Sequence, residues 1–349
     1  MRLERLLKSE RMKKDTERFK DLLSNPFETF AKADEIRKRD VGDIVTYVVN
    51  RNINFTDICV GNCKFCSFRN RRRYLLTLEE IKEKVKEALD YGCTEVCIQG
   101  ALYPNADLNF YKSIIEAVRD VSEEIHIHAF SPMEIHHMAK NSGLEIKEVL
   151  KELKTAGLNS IPGTSAEILD DEIRRIICPN KINTRQWMEI ILTAHRLGIP
   201  STSTMMFGHV EGWEHRIRHI LIIREIQKRT NGFTEFIPLP FMHRNNELGK
   251  MVVPSSGFED LLVIAISRII LHPYIKNVQA SWVKLGVKLS QVALNVGAND
   301  LGGTLMEENI SKFAGATGGE FLPKEEMVKI IKAVGRIPKQ RSTLYEILD

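Results

Sequence analysis

The chain has 349 residues, 43% of them hydrophobic and 28% charged, ordinary globular usage that excludes a disordered, collagen-like or disulfide-scaffold protein. Fifty Lys and Arg against 46 Asp and Glu leave a net +4, too weak a bias to argue for a nucleic-acid partner from charge alone. At this length roughly two domains, or one large α/β barrel with appendages, are expected.

The first twenty residues, MRLERLLKSERMKKDTERFK, carry charges every few positions and contain no apolar stretch of signal-peptide type. The longest apolar run, LLVIAIS at 261–267, is far shorter than the roughly 20 residues a spanning helix needs. A cytoplasmic protein with no membrane partner is therefore expected. Six cysteines are too few for a disulfide framework, and in a reducing compartment closely spaced cysteines more often bind metal or do redox chemistry.

In chain order, the charged residues 1–50 read as a helical segment packed on the outside of the fold. Strands are predicted at Ile53–Ile58, Glu95–Ile98, Ile125–Ala129, Leu158–Ile161, Ser201–Met206, Thr234–Pro238, Asn277–Ser281 and Asp300–Thr304, with amphipathic helices between them. The clearest helix runs from Thr77 to Tyr91, opened by a Thr77–Glu80 capping box and closed by Gly92. Residues 311–349 read as a C-terminal helical tail. Strands joined by helical crossovers run parallel, and eight such units predict an α/β fold of the (β/α)8 TIM-barrel type over 51–310. No Pro/Gly/Ser-rich linker marks a second domain. In such a fold the functional residues lie at the C-terminal ends of strands and in the loops that follow.

The loop after the first predicted strand reads TDICVGNCKFCSFRN and places Cys59, Cys63 and Cys66 in a CxxxCxxC arrangement. A structural zinc site wants four ligands, usually from two separated pairs, and no partner pair follows here. An iron–sulfur cluster held by three cysteines leaves one iron with an open position for a substrate or cofactor.

This spacing after the first strand of a predicted barrel, with Phe65 just before the last cysteine, resembles the radical S-adenosylmethionine (SAM) superfamily. The resemblance implies a 4Fe-4S cluster on Cys59, Cys63 and Cys66, SAM bound at the open iron, and a 5'-deoxyadenosyl radical that abstracts hydrogen. It also implies that Phe65 contacts the adenine, and that Gln99 and Gly100, in VCIQGALYP, form the turn that meets the SAM amino group. Ala101 stands where the superfamily usually has a second glycine. Ser131 in HAFSP and Glu167 in IPGTSAE occupy barrel-mouth positions suited to polar groups of SAM. They are equally readable as a turn residue before Pro132 and as a helix opener.

The strings IHIHAFSPMEI, SIPGTSAEILDDEIRRIICPNKI, STSTMMFGHVE and GFTEFIPLPFMHRNN resemble one branch of that superfamily, the second subunit of FO synthase. The branch implies cleavage of L-tyrosine at Cα–Cβ and transfer of its 4-hydroxybenzyl group to 5-amino-6-(D-ribitylamino)uracil, in deazaflavin biosynthesis. It also implies a reductant for the cluster and a companion ring-closing radical SAM subunit. The radical SAM enzymes of the futalosine route to menaquinone share the cluster motif and the TMMFGH string and are the alternative. His209, His243 and Glu308 end or follow predicted strands and are the candidate catalytic residues: an imidazole can orient phenol or amine protons, and a carboxylate can bind an amine. Glu308, with Glu307, reads equally as an acidic helix start. His126 and His128 share one face of their strand, inward or outward.

Other conspicuous features read more simply. Arg69 and Arg71–Arg73 form a solvated basic run or a partner for a carboxylate, not a nucleic-acid surface. Cys93, Cys97 and Cys178 read as small hydrophobes, and Trp187 and Trp282 as helix–barrel contacts.

Overall fold

The computed structural model describes residues 9–316 and 318–349, over which short strands and helices alternate. Among these residues the strands are β1 (Ile44–Val48), β2 (Asn50–Ile53), β3 (Glu95–Ile98), β4 (His126–Ala129), β5 (Ser201–Phe207), β6 (Phe233–Pro240), β7 (Asp300–Gly303) and β8 (Ile337–Gln340). All their pairings are parallel, in the orders β2-β3-β4, β5-β6 and β7-β1-β8.

The predicted strands Leu158–Ile161 and Asn277–Ser281 are reduced to isolated parallel bridges, and these join the three sheets. His128 pairs with Ser160, Ile161 with Ser201, Phe236 with Val278, and Gln279 with Asp300. Side chains and proline account for the interruptions. Asn159 Oδ1 takes the Ile127 amide at 2.8 Å and Asn299 Oδ1 takes that of Val278 at 2.9 Å, while Pro162 brings no N–H to a ladder. On the other side of β1 and β2, the Thr304 amide donates to Val48 O (3.1 Å) and the Asn52 amide to Leu305 O (2.8 Å).

Two expectations are corrected. The first strand lies earlier than Ile53–Ile58: β1 and β2 span Ile44 to Ile53, so the stretch read as purely helical ends in a strand. Every residue from Val45 to Ile53 is buried. The segment has no polar face, and Asn50, Arg51 and Asn52 hide its apolar character. The tail, read as helical, contains the helix Lys324–Lys332 followed by β8, which lies along β1 with Ile44 opposite Ile337.

The helices Glu10–Lys20 and Pro26–Val41 are capped by Ser9 and Asn25 and pack outside the helices Trp213–Thr230 and Gly257–Leu271. Helix Leu78–Asp90 has the expected Thr77–Glu80 box, with Glu80 Oε2 accepting the Thr77 amide at 2.7 Å. No helix among the described residues is long and apolar enough to cross a membrane.

Candidate active site

The three cysteines lie in a loop that follows β2 and is pinned from three sides. The Val60 amide donates to Leu102 O (3.1 Å), that of Lys64 to Ile177 O (2.9 Å), and that of Leu248 to Lys64 O (2.9 Å). Within it the Cys66 amide donates to Cys63 O and the Gly61 amide to Cys59 Sγ, both at 3.2 Å. All three thiols are free and half-buried. Burial pushes the Cys63 thiol up to about 12, a penalty reversed when a metal takes the thiolate. Among the described residues no three His, Cys, Asp or Glu side chains converge tightly enough for a single ion. Three thiols in a short loop fit a cluster, where each ligates a different iron. Cys93 and Cys178 are buried, and Cys97 faces the interior of the fold.

The residues that the resemblance assigns to SAM occupy distinct places. Phe65 is half-buried under the Lys181 ammonium, 5.5 Å from its ring centroid. Lys181 forms a buried ion pair with Glu167. Burial alone raises the Glu167 carboxyl, but Lys181 outweighs it and leaves it below its ordinary value. Glu167 opens no helix: the next one, Asp171–Ile177, is capped by Asp170, and Glu167 has φ 43° in the loop before it. Gln99 Oε1 accepts from Thr164 Oγ1 at 3.2 Å. Gly100 is required by packing, since a Cβ there would lie 2.4 Å from the Phe55 ring. Ser131 caps the helix Pro132–Ser142 in a capping box with Glu134. Glu134 Oε1 in turn accepts the Gly100 amide at 3.0 Å.

Inward-facing residues of the strands enclose a cavity of about 270 Å³, near the lower end of small-molecule pockets, about 300 Å³. Asn52, Gln99, Thr164, Lys284 and Glu308 line it, with Ile237, Leu239 and Leu305 as apolar walls. Glu308 Oε2 accepts from Asn52 Nδ2 at 2.6 Å, and Oε1 takes the Ser311 amide at 2.8 Å, capping the short helix Asn309–Phe313. The opposite end is closed by the C-terminal tail. There Arg341 Nε meets Asp300 Oδ2 at 2.6 Å, Thr343 Oγ1 donates to Glu95 Oε2 at 2.6 Å, and Tyr345 OH donates to Glu235 Oε2 at 2.9 Å. His126 and His128 both point inward, each 2.7 Å from Ser160 Oγ.

Of the candidate catalytic residues, Glu308 is in the cavity; His209 and His243 are not among its lining residues. His209 is packed into the loop after β5, with Nδ1 2.8 Å from Glu211 Oε2 and its ring edge-on to Phe241. His243 is half-buried in the loop after β6. Arg69 donates to Gly61 O, and Arg71 and Arg72 lie over the Phe313 ring. The Trp187 and Trp282 indoles donate to Thr164 O (3.1 Å) and Gly303 O (2.9 Å). The sequence reading missed Lys181, Lys284, Asn52 and Arg341. Lys181 was signalled only by a lone cation in the CPNKI turn, and Lys284 by its place two residues after Trp282, at a strand-to-helix junction.

Residues 53–223 match the radical SAM superfamily, and residues 230–349 match the CofH/MqnC C-terminal region. The 5-amino-6-(D-ribitylamino)uracil–L-tyrosine 4-hydroxyphenyl transferase of Archaeoglobus fulgidus is 68% identical over 94% of this chain and 96% of its own. That of Methanocaldococcus jannaschii is 57% identical over 93% of each. Among solved structures, methylornithine synthase (PylB) superposes with a TM-score of 0.73 at 20% identity, over 93% of each chain. The hydrogenase maturase HydG of Carboxydothermus hydrogenoformans gives 0.70 at 17% identity, over 91% of this chain and 72% of its own. The structural likeness establishes the α/β radical SAM fold, and the sequence identity places the chain in the radical SAM family of 5-amino-6-(D-ribitylamino)uracil–L-tyrosine 4-hydroxyphenyl transferases.

Proposed function

We propose that the chain cleaves L-tyrosine at Cα–Cβ and transfers the 4-hydroxybenzyl group to 5-amino-6-(D-ribitylamino)uracil. The observation that carries this reading is the 68% identity to the Archaeoglobus fulgidus transferase over nearly the whole of both chains. The donor set agrees with it: three thiols in one pinned loop, and a central cavity lined by polar groups.

When bound, the 4Fe-4S cluster and SAM supply a deoxyadenosyl radical for hydrogen abstraction. Cys59, Cys63 and Cys66 would hold the cluster. Phe65, Gln99 and the Gly100 turn would hold SAM, with Glu167 for its hydroxyls and Lys181 for its carboxylate. Ser131 contributes by fixing Glu134, which holds the Gly100 turn. Glu308, oriented by Asn52, binds the tyrosine ammonium. His209, held against Glu211, positions the loop after β5, and His243, in the loop after β6, is the remaining candidate catalytic residue. The strand segments and bridges, with the Thr304–Val48 and Asn52–Leu305 hydrogen bonds, support a closed (β/α)8 barrel. The N-terminal helices and the tail after residue 310 belong to the same structural unit. A cluster reductant and a companion ring-closing radical SAM subunit complete the reaction sequence.

The test is anaerobic reconstitution, reduction, and addition of SAM with both substrates varied independently, followed by mass spectrometry. Deoxyadenosine that depends on tyrosine, together with a hydroxybenzyl–uracil adduct, is the expected result. Deoxyadenosine without the adduct would overturn the substrate assignment in favour of the futalosine branch, and no SAM cleavage would overturn the radical mechanism.

A further inference from the structure

The charged groups facing the central cavity are, with one exception, matched by partners. Glu95 accepts from Asn50 and Thr343, Glu235 from Gln279 and Tyr345, and Arg341 meets Asp300. Glu308 accepts from Asn52 and from the Ser311 amide. The exception is Lys284, in the first turn of the helix Trp282–Ala293. Its side chain lines the cavity, and among the described residues its ammonium has neither a hydrogen-bond nor an ion-pair partner. The helix that carries it is anchored by the Trp282 indole on Gly303 O at 2.9 Å, so its position is fixed. Burial lowers the Lys284 pKa, and Glu308 and then Glu167 only partly offset this.

A half-buried cation with no ion-pair partner is costly to desolvate, and an entering anion relieves that cost. Glu308 lies within electrostatic reach of Lys284. Each of its oxygens already accepts one hydrogen bond from the protein and keeps a lone pair for a further donor. A fixed carboxylate and an unmatched ammonium in one cavity complement a ligand that carries both charges on neighbouring atoms. An α-amino acid has that pattern.

We infer that Lys284 and Glu308 form a zwitterion subsite, in which Lys284 binds the α-carboxylate and Glu308 the α-ammonium of the amino-acid substrate. The inference rests on the tyrosine reading above and adds the group that selects a free amino acid over its amine. Holding the α-carbon by its two charges leaves the aromatic side chain to the apolar walls of the same cavity.

The test is equilibrium dialysis of the reconstituted enzyme with SAM and no reductant, using L-tyrosine, tyramine and 3-(4-hydroxyphenyl)propionate. The wild type should bind tyrosine about tenfold or more tighter than tyramine, the worth of one charge-assisted hydrogen-bonded contact. Lys284→Met should weaken tyrosine binding to the level of tyramine and leave tyramine unchanged, which also reports an intact fold; Lys284→Arg should recover part of the loss. Glu308→Gln should weaken tyrosine but not the propionate. A Lys284→Met enzyme that keeps the wild-type preference for tyrosine overturns the Lys284 assignment alone. A wild type that binds no tyrosine overturns the functional reading beneath it.

Discussion

Glu134 and Gly100 are joined across two strand ends: Glu134 Oε1 accepts the Gly100 amide at 3.0 Å, and Oε2 accepts both the Ser131 amide and its hydroxyl at 2.7 Å. One buried carboxylate thus fixes the turn after β3 and the start of the helix after β4, the two segments proposed above to meet SAM. Burial raises the Glu134 carboxyl to about 7, against hydrogen bonds from Ser131 and Gly100 that favour the anion.

Glu134→Gln should therefore be more harmful than its near-identical shape suggests. Both carboxylate oxygens face donors, and an amide NH2 cannot accept from either side, so one buried N–H loses its partner at a cost of about 1–3 kcal/mol. Thermal unfolding and SAM binding, measured together, check this. Wild-type stability with unchanged SAM affinity would show that the link is dispensable.

β3, β4, β5 and β6 were legible because each is a short segment between helical stretches at the spacing of βα units, with Val96–Ile98 in β3 and the apolar ends of β5 and β6 as its signal. The cysteine loop was legible because three thiols so close together have few structural uses. What escaped was set by contacts distant in sequence. The β1–β2 segment escaped because the polar residues of β2 find partners only in the fold: Asn50 donates to Glu95 and accepts the Leu305 amide. Gly100 reads in sequence as a close approach to a cofactor, whereas its space is taken by the Phe55 ring. His209 resembles a mouth residue in sequence but is turned toward Glu211, two positions along. Lys284 carries no motif, and its significance comes from being unmatched.

The six cysteines should divide cleanly. Alanine at Cys59, Cys63 or Cys66 should abolish the iron-dependent visible absorbance after anaerobic reconstitution, because a thiolate ligand cannot be replaced by a methyl group. Alanine at Cys93, Cys97 or Cys178 should leave iron content unchanged and cost only packing. Iron and sulfide analysis of all six variants is the measurement; loss of iron in the Cys178 variant would bring that residue into the cluster site.

Acid should destabilise the protein through buried neutral histidines. His219 accepts the Leu169 amide on Nδ1 at 3.0 Å and places Nε2 3.0 Å from Thr204 O, to which it donates in this tautomer. Protonation destroys the first of these bonds, and burial lowers the His219 pKa from 6.5 to about 3. His128 and His195 are likewise lowered to about 4 by burial. The unfolded chain binds these protons first, so stability is fully present above pH 6.5 and falls as pH drops toward the folded values. The slope is up to about 1.4 kcal/mol per pH unit per histidine. His219→Phe should be less stable at neutral pH but show a shallower loss between pH 6.5 and 5. An unchanged slope in urea denaturation at these two pH values would remove His219 from the account.

Arg341 closes the end of the cavity opposite the cysteine loop. Its guanidinium lies 2.6 Å from Asp300 and 3.6 Å from Glu235, with the Tyr345 ring 4.0 Å away. Arg341→Met leaves two buried carboxylates facing each other without a cation, and breaking such a network from one side costs about 3–5 kcal/mol. The same substitution combined with Asp300→Asn and Glu235→Gln should recover much of that loss, because the charges that needed Arg341 are gone. Stability of the single and triple variants separates charge compensation from packing. If the triple variant is no more stable than Arg341→Met, the tail is held by shape, and its charges serve the cavity rather than the fold.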